Sequence, residues 1–357
     1  MNNVKRKVFT GAFALLLAAS VSAGASSKAF AAQKSEEKAP KKYIQGYLVK
    51  DGKKTPVYSD SNKQKSDSKT PMSAEDDSSP YAEAYPKLPE DPYAPAPQTG
   101  NTITQSGDIG EIIYFEGERF LPGDAGEGGK KGKFYLEKKT DGQIEIGAYD
   151  PETLKIYPDD AANSERAQNG EEWMVEQYGP DYAWSKAFDG TSKLKRETQF
   201  ELIRTGTPAK TGNWGFNESV KSGVQTWQIQ SFTSTIGSKI TAEAGLQIGD
   251  GKAFSLGGKV TTEMSASLSE TFQENIVITD EKTVGTDFSI GPVNNPDYKY
   301  DVFRGAAYQL TSKYTLVPGD GLKKLMEEAP ELKGLASPSS KYNEVEMYYP
   351  VTPGSHQ

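Results

Sequence analysis

Between Phe232 and Ile278 the chain alternates between apolar or small side chains and polar ones, and few folds accommodate such a ribbon. On the first arm the even positions read Phe232, Ser234, Ile236, Ser238, Ile240, Ala242, Ala244, Leu246 and Ile248. The odd positions read Thr233, Thr235, Gly237, Lys239, Thr241, Glu243, Gly245 and Gln247. Gly249, Asp250 and Gly251 supply a turn. On the return arm Phe254, Leu256, Val260, Met264, Ala266, Leu268, Phe272, Ile276 and Ile278 share one parity. Ser255, Lys259, Thr261, Glu263, Ser265, Ser267, Ser269, Thr271, Gln273 and Asn275 share the other, and Thr262, Glu270 and Glu274 break the apolar set. A period of two produces two faces, one oily and one wet. The first arm has 17 alternating residues. Extended, they reach ~56 Å, whereas ordinary strands have ~5–6 residues and a tilted strand crosses hydrocarbon in ~9–11.

Three structures fit this coding. A half-buried antiparallel sheet needs the same alternation. Several copies of one long hairpin could close into a barrel, with apolar side chains towards lipid and Ser, Thr, Gln, Lys and Glu towards water, leaving no open edge. Val260, Met264, Leu268, Phe272 and Ile276 are also four apart, as on one stripe of a helix. Gly257, Gly258 and the density of Ser and Thr weigh against that helix.

The remainder of the chain narrows the setting. Lys5, Arg6 and Lys7 precede an apolar run from Val8 to Ala19, and Ala29-Phe30-Ala31 is a small-residue cleavage pattern, so residues 1–31 read as a secretory signal. The run is shorter than a spanning helix requires, and no later stretch is apolar enough for one. The whole chain carries 41 basic and 49 acidic residues; removing residues 1–31 takes away four basic residues and no acids, leaving 37 against 49, a net charge of −12. Such a surface repels phosphate backbones and excludes nucleic acid as a partner class. Without cysteine, a secreted chain must be stabilised by an ordinary core.

Residues 32–100 read as a flexible polar N-terminal region or pro-segment, with 59–100 flexible or polyproline-like, since SDSNKQKSDSK and YPKLPEDPYAPAPQTG hold few large apolar groups. Within it, YIQGYLVKDGKKTPVY predicts a small hairpin turning at Lys50-Asp51-Gly52. From about residue 101, EIIYFEGERF, KFYLEKK and QIEIGAYD predict strands. The expected divisions are 101–195 as a β-rich, receptor-side region, 196–350 as the main β domain and 351–357 as a tail. Short helices are predicted over Ser164 to Gln177 and Leu322 to Glu328. The fold class expected is mainly β.

Enzymatic chemistry finds little footing. His356 is the only histidine and is expected in a loose tail, so no His- or Cys-based catalytic or metal site can be assembled, and no cofactor is implied. GDAGEGGKKGKF has no phosphate-loop register. Trp173, Tyr178, Tyr182 and Trp184 form either core or an aromatic surface for sugars or lipid headgroups. Trp214 and Trp227 flank the start of the ribbon.

The run SGVQTWQIQSFTSTIGSKITAEAGLQIGDGKAFSLGGKVTTEMSASLSETFQENIVI, with TVGTDFSIGP and YDVFRGAAYQLTSKYTLV after it, resembles the aerolysin and epsilon-toxin family of β-pore-forming toxins. The resemblance covers about residues 195–318. It implies an elongated antiparallel β protein with a long amphipathic hairpin, secreted in soluble form. It further implies a target membrane with a receptor, self-assembly into an oligomer, and an activating protease, with Lys63, Lys65, Lys69 and Lys341 as candidate cleavage sites. Phe232, Ile236, Ile240, Ala242, Ala244, Leu246, Ile248, Phe254, Leu256, Val260, Met264, Ala266 and Leu268 would face lipid, and Gly249, Asp250 and Gly251 would lead. The rival expectation is a secreted β-sandwich that binds carbohydrate or a cell surface without making pores.

Overall fold

The computed structural model describes residues 42–50, 52–59, 79–121, 130–142, 144–158, 185–225, 228–239, 247–248, 254–255 and 258–357. Within these residues the protein is mainly β, its sheets are antiparallel and it has three α-helices.

The largest sheet has six strands. It joins β1 (Tyr43–Lys50), β2 (Lys53–Ser59), β3 (Ile103–Asp108), β8 (Lys193–Gly206), β15 (Gly305–Val317) and β16 (Ser339–Pro350) in the order β2-β1-β16-β15-β8-β3. The hairpin read from YIQGYLVKDGKKTPVY is therefore part of this sheet, pairing with β16, and turns at Gly52 with φ of +77°. β8 shows the two-residue period plainly: Leu194, Arg196, Thr198 and Phe200 are buried. The boundary expected between residues 195 and 196 falls inside this strand.

A second sheet is a meander of β4 (Ile112–Phe120), β5 (Lys131–Lys138), β6 (Ile144–Tyr149) and β7 (Ile156–Pro158), built from the three predicted runs. Two short ladders follow: β9 (Trp214–Phe216) pairs with β14 (Phe288–Ile290), and β10 (Ser219–Ser222) with β13 (Lys282–Gly285). A two-residue ladder joins β11 (Gln247–Ile248) to β12 (Phe254–Ser255). The helices are α1 (Ile229–Ile236), α2 (Gly258–Phe272) and α3 (Asp320–Glu328). α3 is the helix predicted before Pro330, whereas the one predicted over Ser164 to Gln177 lies outside the described residues.

One face of the large sheet carries three consecutive zones. At one end Leu194, Tyr314 and Tyr342 share a core with α1, α2 and the meander's Tyr114, Tyr135 and Tyr149. At the other end Phe200, Tyr308, Leu310 and Tyr348 lie under Ala84, Tyr85, Leu88 and Ala96. Polar side chains, Arg196, Thr198 and Ser312, occupy the middle.

Residues 79–100 thus form a strap across the sheet, which rules out the flexible alternative for them. Tyr85 stacks on Tyr348 with centroids 4.3 Å apart, and the Tyr308 hydroxyl donates to the Pro97 carbonyl at 2.7 Å. Average composition hid this, because a few aromatics at the right spacing anchor a proline-rich chain of turns and short extended pieces.

His356 is not in a loose tail. It is buried, packs edge-on to Phe303 at 5.2 Å, and its Nε2 lies 3.2 Å from the Gly291 carbonyl. Its backbone carbonyl accepts from the Ile44 N–H at 3.0 Å, which ties the C-terminus to β1.

Candidate functional site

The alternating segment is enclosed by a stem with one consistent register. In β9/β14, Trp214 pairs with Ile290 and Phe216 with Phe288; in β10/β13, Ser219 pairs with Gly285 and Ser222 with Lys282. In each pair the residue numbers add to 504. At the far end Gln247 pairs with Ser255 and Ile248 with Phe254, adding to 502. Both ladders are antiparallel, and their offset of two is even. An even offset keeps every side chain on its own face. The 24 residues of 223–246 and the 26 of 256–281 therefore lie between the base and the tip of a single potential hairpin.

Among the described residues of those arms, Ile229–Ile236 and Gly258–Phe272 are helices and not strands, which corrects the expectation of a long formed hairpin there. Phe232 and Ile236 lie on α1, and Val260, Met264, Ala266 and Leu268 on α2. The reason is arithmetic: residues four apart share a face in a strand, where the period is two, and nearly share one in a helix, where it is 3.6. Phe232 and Ile236, then Val260, Met264 and Leu268, satisfy both geometries, and all five are fully buried. Ala266 separates the two, since it belongs to the apolar parity of a strand but is exposed on α2. Thr261 does the opposite: it belongs to the wet parity yet is buried.

The other predicted positions divide as follows. Ile248 and Phe254 are the paired residues of β11 and β12. Ile240, Ala242, Ala244, Leu246, Leu256 and the tip Gly249, Asp250 and Gly251 lie outside the described residues, as do Trp173, Tyr178, Tyr182 and Trp184. Beyond α2 the extended period returns: Ile276 and Ile278 are buried and Val277 between them is exposed.

Both helices carry side chains that suit helices poorly. α1 reads IQSFTSTI, and its Thr233 and Thr235 hydroxyls donate back to the carbonyls of Ile229 and Ser231 at 2.8 and 2.7 Å. On α2 the Ser265 hydroxyl does the same to Thr261 at 2.5 Å. Such back-bonding satisfies a buried hydroxyl but does not favour the helix over other backbones. What holds the helices is packing. Phe232 meets Tyr314 edge-on at 5.5 Å, and the Thr235 hydroxyl lies 2.9 Å from that of Ser340 on β16.

Each end of the segment is also pinned. α1 stops at Gly237, whose φ of +66° is the left-handed C-terminal conformation glycine favours, and a Cβ there would sit 2.5 Å from the Ile112 carbonyl oxygen. Next to it, the Lys239 ammonium reaches the buried Glu137 carboxylate at 2.7 and 2.9 Å. The other end is held at Glu274, which takes hydrogen bonds from Tyr81, Gln105 and Arg196. Sequence reasoning noted Glu274 only as an exception and missed Arg196; a lone arginine at a buried strand parity was the available signal.

Among the described residues no helix is long and apolar enough to cross a membrane, and no cluster of His, Asp or Glu is arranged to hold a metal ion. No protein-family model matches the chain, and a search among curated proteins finds no matching relative.

Proposed function

We propose that this protein is a secreted pore former that keeps its membrane-inserting hairpin folded as two short helices on either side of the β11/β12 ladder. The observation that supports it is that stem and tip are both antiparallel and pair residues of the same parity, two residues apart in register. Continuing the 504 register of β10/β13 inward sets Phe232 opposite Phe272, Ile236 opposite Leu268, Ile240 opposite Met264 and Ala244 opposite Val260, and a two-residue shift before the tip brings Ile248 to its observed partner Phe254. Apolar groups thus meet across the ladder at these positions on the face proposed for lipid, which Ser234 opposite Glu270 interrupts, and Ser, Thr, Lys and Glu dominate the face proposed for water. Several copies would close the barrel on a target membrane reached through a receptor.

Energetics says when conversion can happen. Phe232, Ile236, Val260, Met264 and Leu268 are buried, and at ~1.5–3 kcal/mol each their exposure would cost roughly 7–15 kcal/mol. That equals the whole stability of a typical domain, so the segment stays stored in water. Lipid receives the same five side chains, and pairing within a closed barrel satisfies their backbone groups. Conversion is therefore coupled to a membrane and to assembly.

The test is a lock. The chain has no native cysteine, so Thr235→Cys with Ser340→Cys, whose hydroxyls lie 2.9 Å apart, gives a single engineered disulfide stapling α1 to β16. Oxidised protein should fail to release dye from target cells or vesicles, and reduction should restore release. Release indifferent to the oxidised lock overturns helix-to-hairpin conversion. Binding to cells with no release by the reduced or native protein, before and after protease treatment, would instead support a static binding module.

A further inference from the structure

The polar middle zone of the large sheet joins the stored segment to the strap. Glu274 follows α2, where the chain leaves the helix through Gln273 at φ of +53°. Its carboxylate accepts from Gln105 of β3 at 2.8 Å, from the Tyr81 hydroxyl of the strap at 2.9 Å and from Arg196 of β8 at 3.1 Å. Arg196 also donates to the Tyr81 hydroxyl at 2.8 Å, which makes Tyr81 a relay between the two charges.

Arg196 is 1 % exposed and faces a second carboxylate on its other side, Glu344 of β16, at 3.7 Å. Ser312 of β15 accepts from Arg196 and donates to Glu344 at 3.3 Å. The surrounding titratable groups are Tyr314 of β15, Tyr342 of β16, and Glu346, which Ser79 of the strap and Lys50 of β1 engage at 2.6 and 3.7 Å. One buried cation is thus shared by two carboxylates, and only one of them belongs to the segment proposed to move.

We infer that this cluster is a proton-operated latch: ionised Glu274 ties the end of α2 to the sheet and the strap, and protonation of Glu274 releases it. The latch is a feature of the fold whatever the segment does; its purpose, gating insertion, rests on the pore-former reading.

Two carboxylates with opposite shifts give the latch a defined window. Partial burial alone would raise Glu274, but its donors Gln105, Tyr81 and Arg196 outweigh that and hold it below its ordinary 4.5. Its tie is fully present above 4.5 and is lost as the pH falls through the lowered value. Burial pushes Glu344 up to about 7, against the opposing pull of Arg196 and Ser312. Its contribution is complete below 4.5 and is lost as the pH rises through about 7. Between those limits Arg196 has Glu274 as its one charged partner among these two, and there the latch is tightest.

Hydrogen exchange of the full chain, expressed as protection factors for amides of residues 258–272 between pH 8 and pH 3.5 at constant ionic strength, tests this directly. Protection should peak between pH 4.5 and 7 and fall about tenfold on the acid side, while β8 and β15 stay protected. Glu274→Gln should lower protection throughout and abolish the acid-side fall; Glu344→Gln should keep that fall and remove the alkaline one. An acid-side fall that persists in Glu274→Gln, or one shared by β8 and β15, overturns the latch. Dye-loaded phosphatidylcholine vesicles at the same pH values separate the two readings. Opening of α2 with no release from these vesicles or from target cells, before and after protease treatment, leaves the latch standing and removes the pore; leakage unrelated to α2 protection does the reverse.

Discussion

Thr262 and Glu263 are neighbours that the proposed conversion from helix to hairpin would treat in opposite ways. On α2 Thr262 is exposed, so a lysine there has room at the surface of the stored helix, whereas Glu263 is half-buried with one carboxylate oxygen enclosed. In the extended hairpin Thr262 falls on the apolar parity and Glu263 on the wet one. Thr262 stands eight residues beyond Phe254, the first residue of β12. At ~3.3 Å per residue with a tilt of ~40°, that is about 20 Å from the tip, inside a lipid-facing band about 25 Å tall. A lysine there costs about 2 kcal/mol per protomer, between the midplane and interfacial values, which is roughly 30-fold in the insertion equilibrium. Thr262→Lys should therefore unfold in urea within about 0.5 kcal/mol of the wild type but lose at least ~30-fold in vesicle leakage. Glu263→Lys should leak normally and shift ion selectivity towards anions, because it changes the charge of the water-filled lumen. Urea titration and dye release on the same preparations provide the comparison. Equal leakage by both variants, or loss by Glu263→Lys alone, refutes the assignment of faces.

Two other expectations concern the stored state. Gly237→Ala forces a side chain into φ of +66° and against the Ile112 carbonyl, so it should destabilise the protein by about 2 kcal/mol or more, read as a lower urea midpoint at unchanged m-value. His356 has its pKa lowered by burial, against the Gly291 carbonyl hydrogen bond that raises it. Its contribution to stability is present above 6.5 and is lost as the pH falls through the lowered value, so the thermal midpoint of His356→Gln should converge on that of the wild type on acidification. A constant difference between the two midpoints from pH 8 to pH 5 would show that His356 does not titrate in this way.

Much of the β framework was legible in the chain. Ile112 to Tyr149 read as strands with glycine-rich turns and form the meander, the hairpin at Lys50-Asp51-Gly52 forms, and the helix before Pro330 forms. The strap was not legible, because Tyr81 and Tyr85 acquire their role from Arg196 and Tyr348, which are more than a hundred residues away. His356 was misjudged for a similar reason: a terminal position says nothing about the partner surface formed by Ile44, Gly291 and Phe303.

The sequence alone determined that residues 232–278 carry one oily face and one wet face, because that is a matter of which side chains recur at even spacing. It left open which backbone displays them, since a spacing of four is a multiple of the strand period and lies close to the helical one. Tertiary structure made that choice by gathering Tyr314 and Tyr342 of the large sheet and Tyr114 and Tyr149 of the meander into one core, which Phe232, Val260, Met264 and Leu268 join as helices. A different surface, such as lipid, presents no such core and leaves the strand geometry open to the same residues.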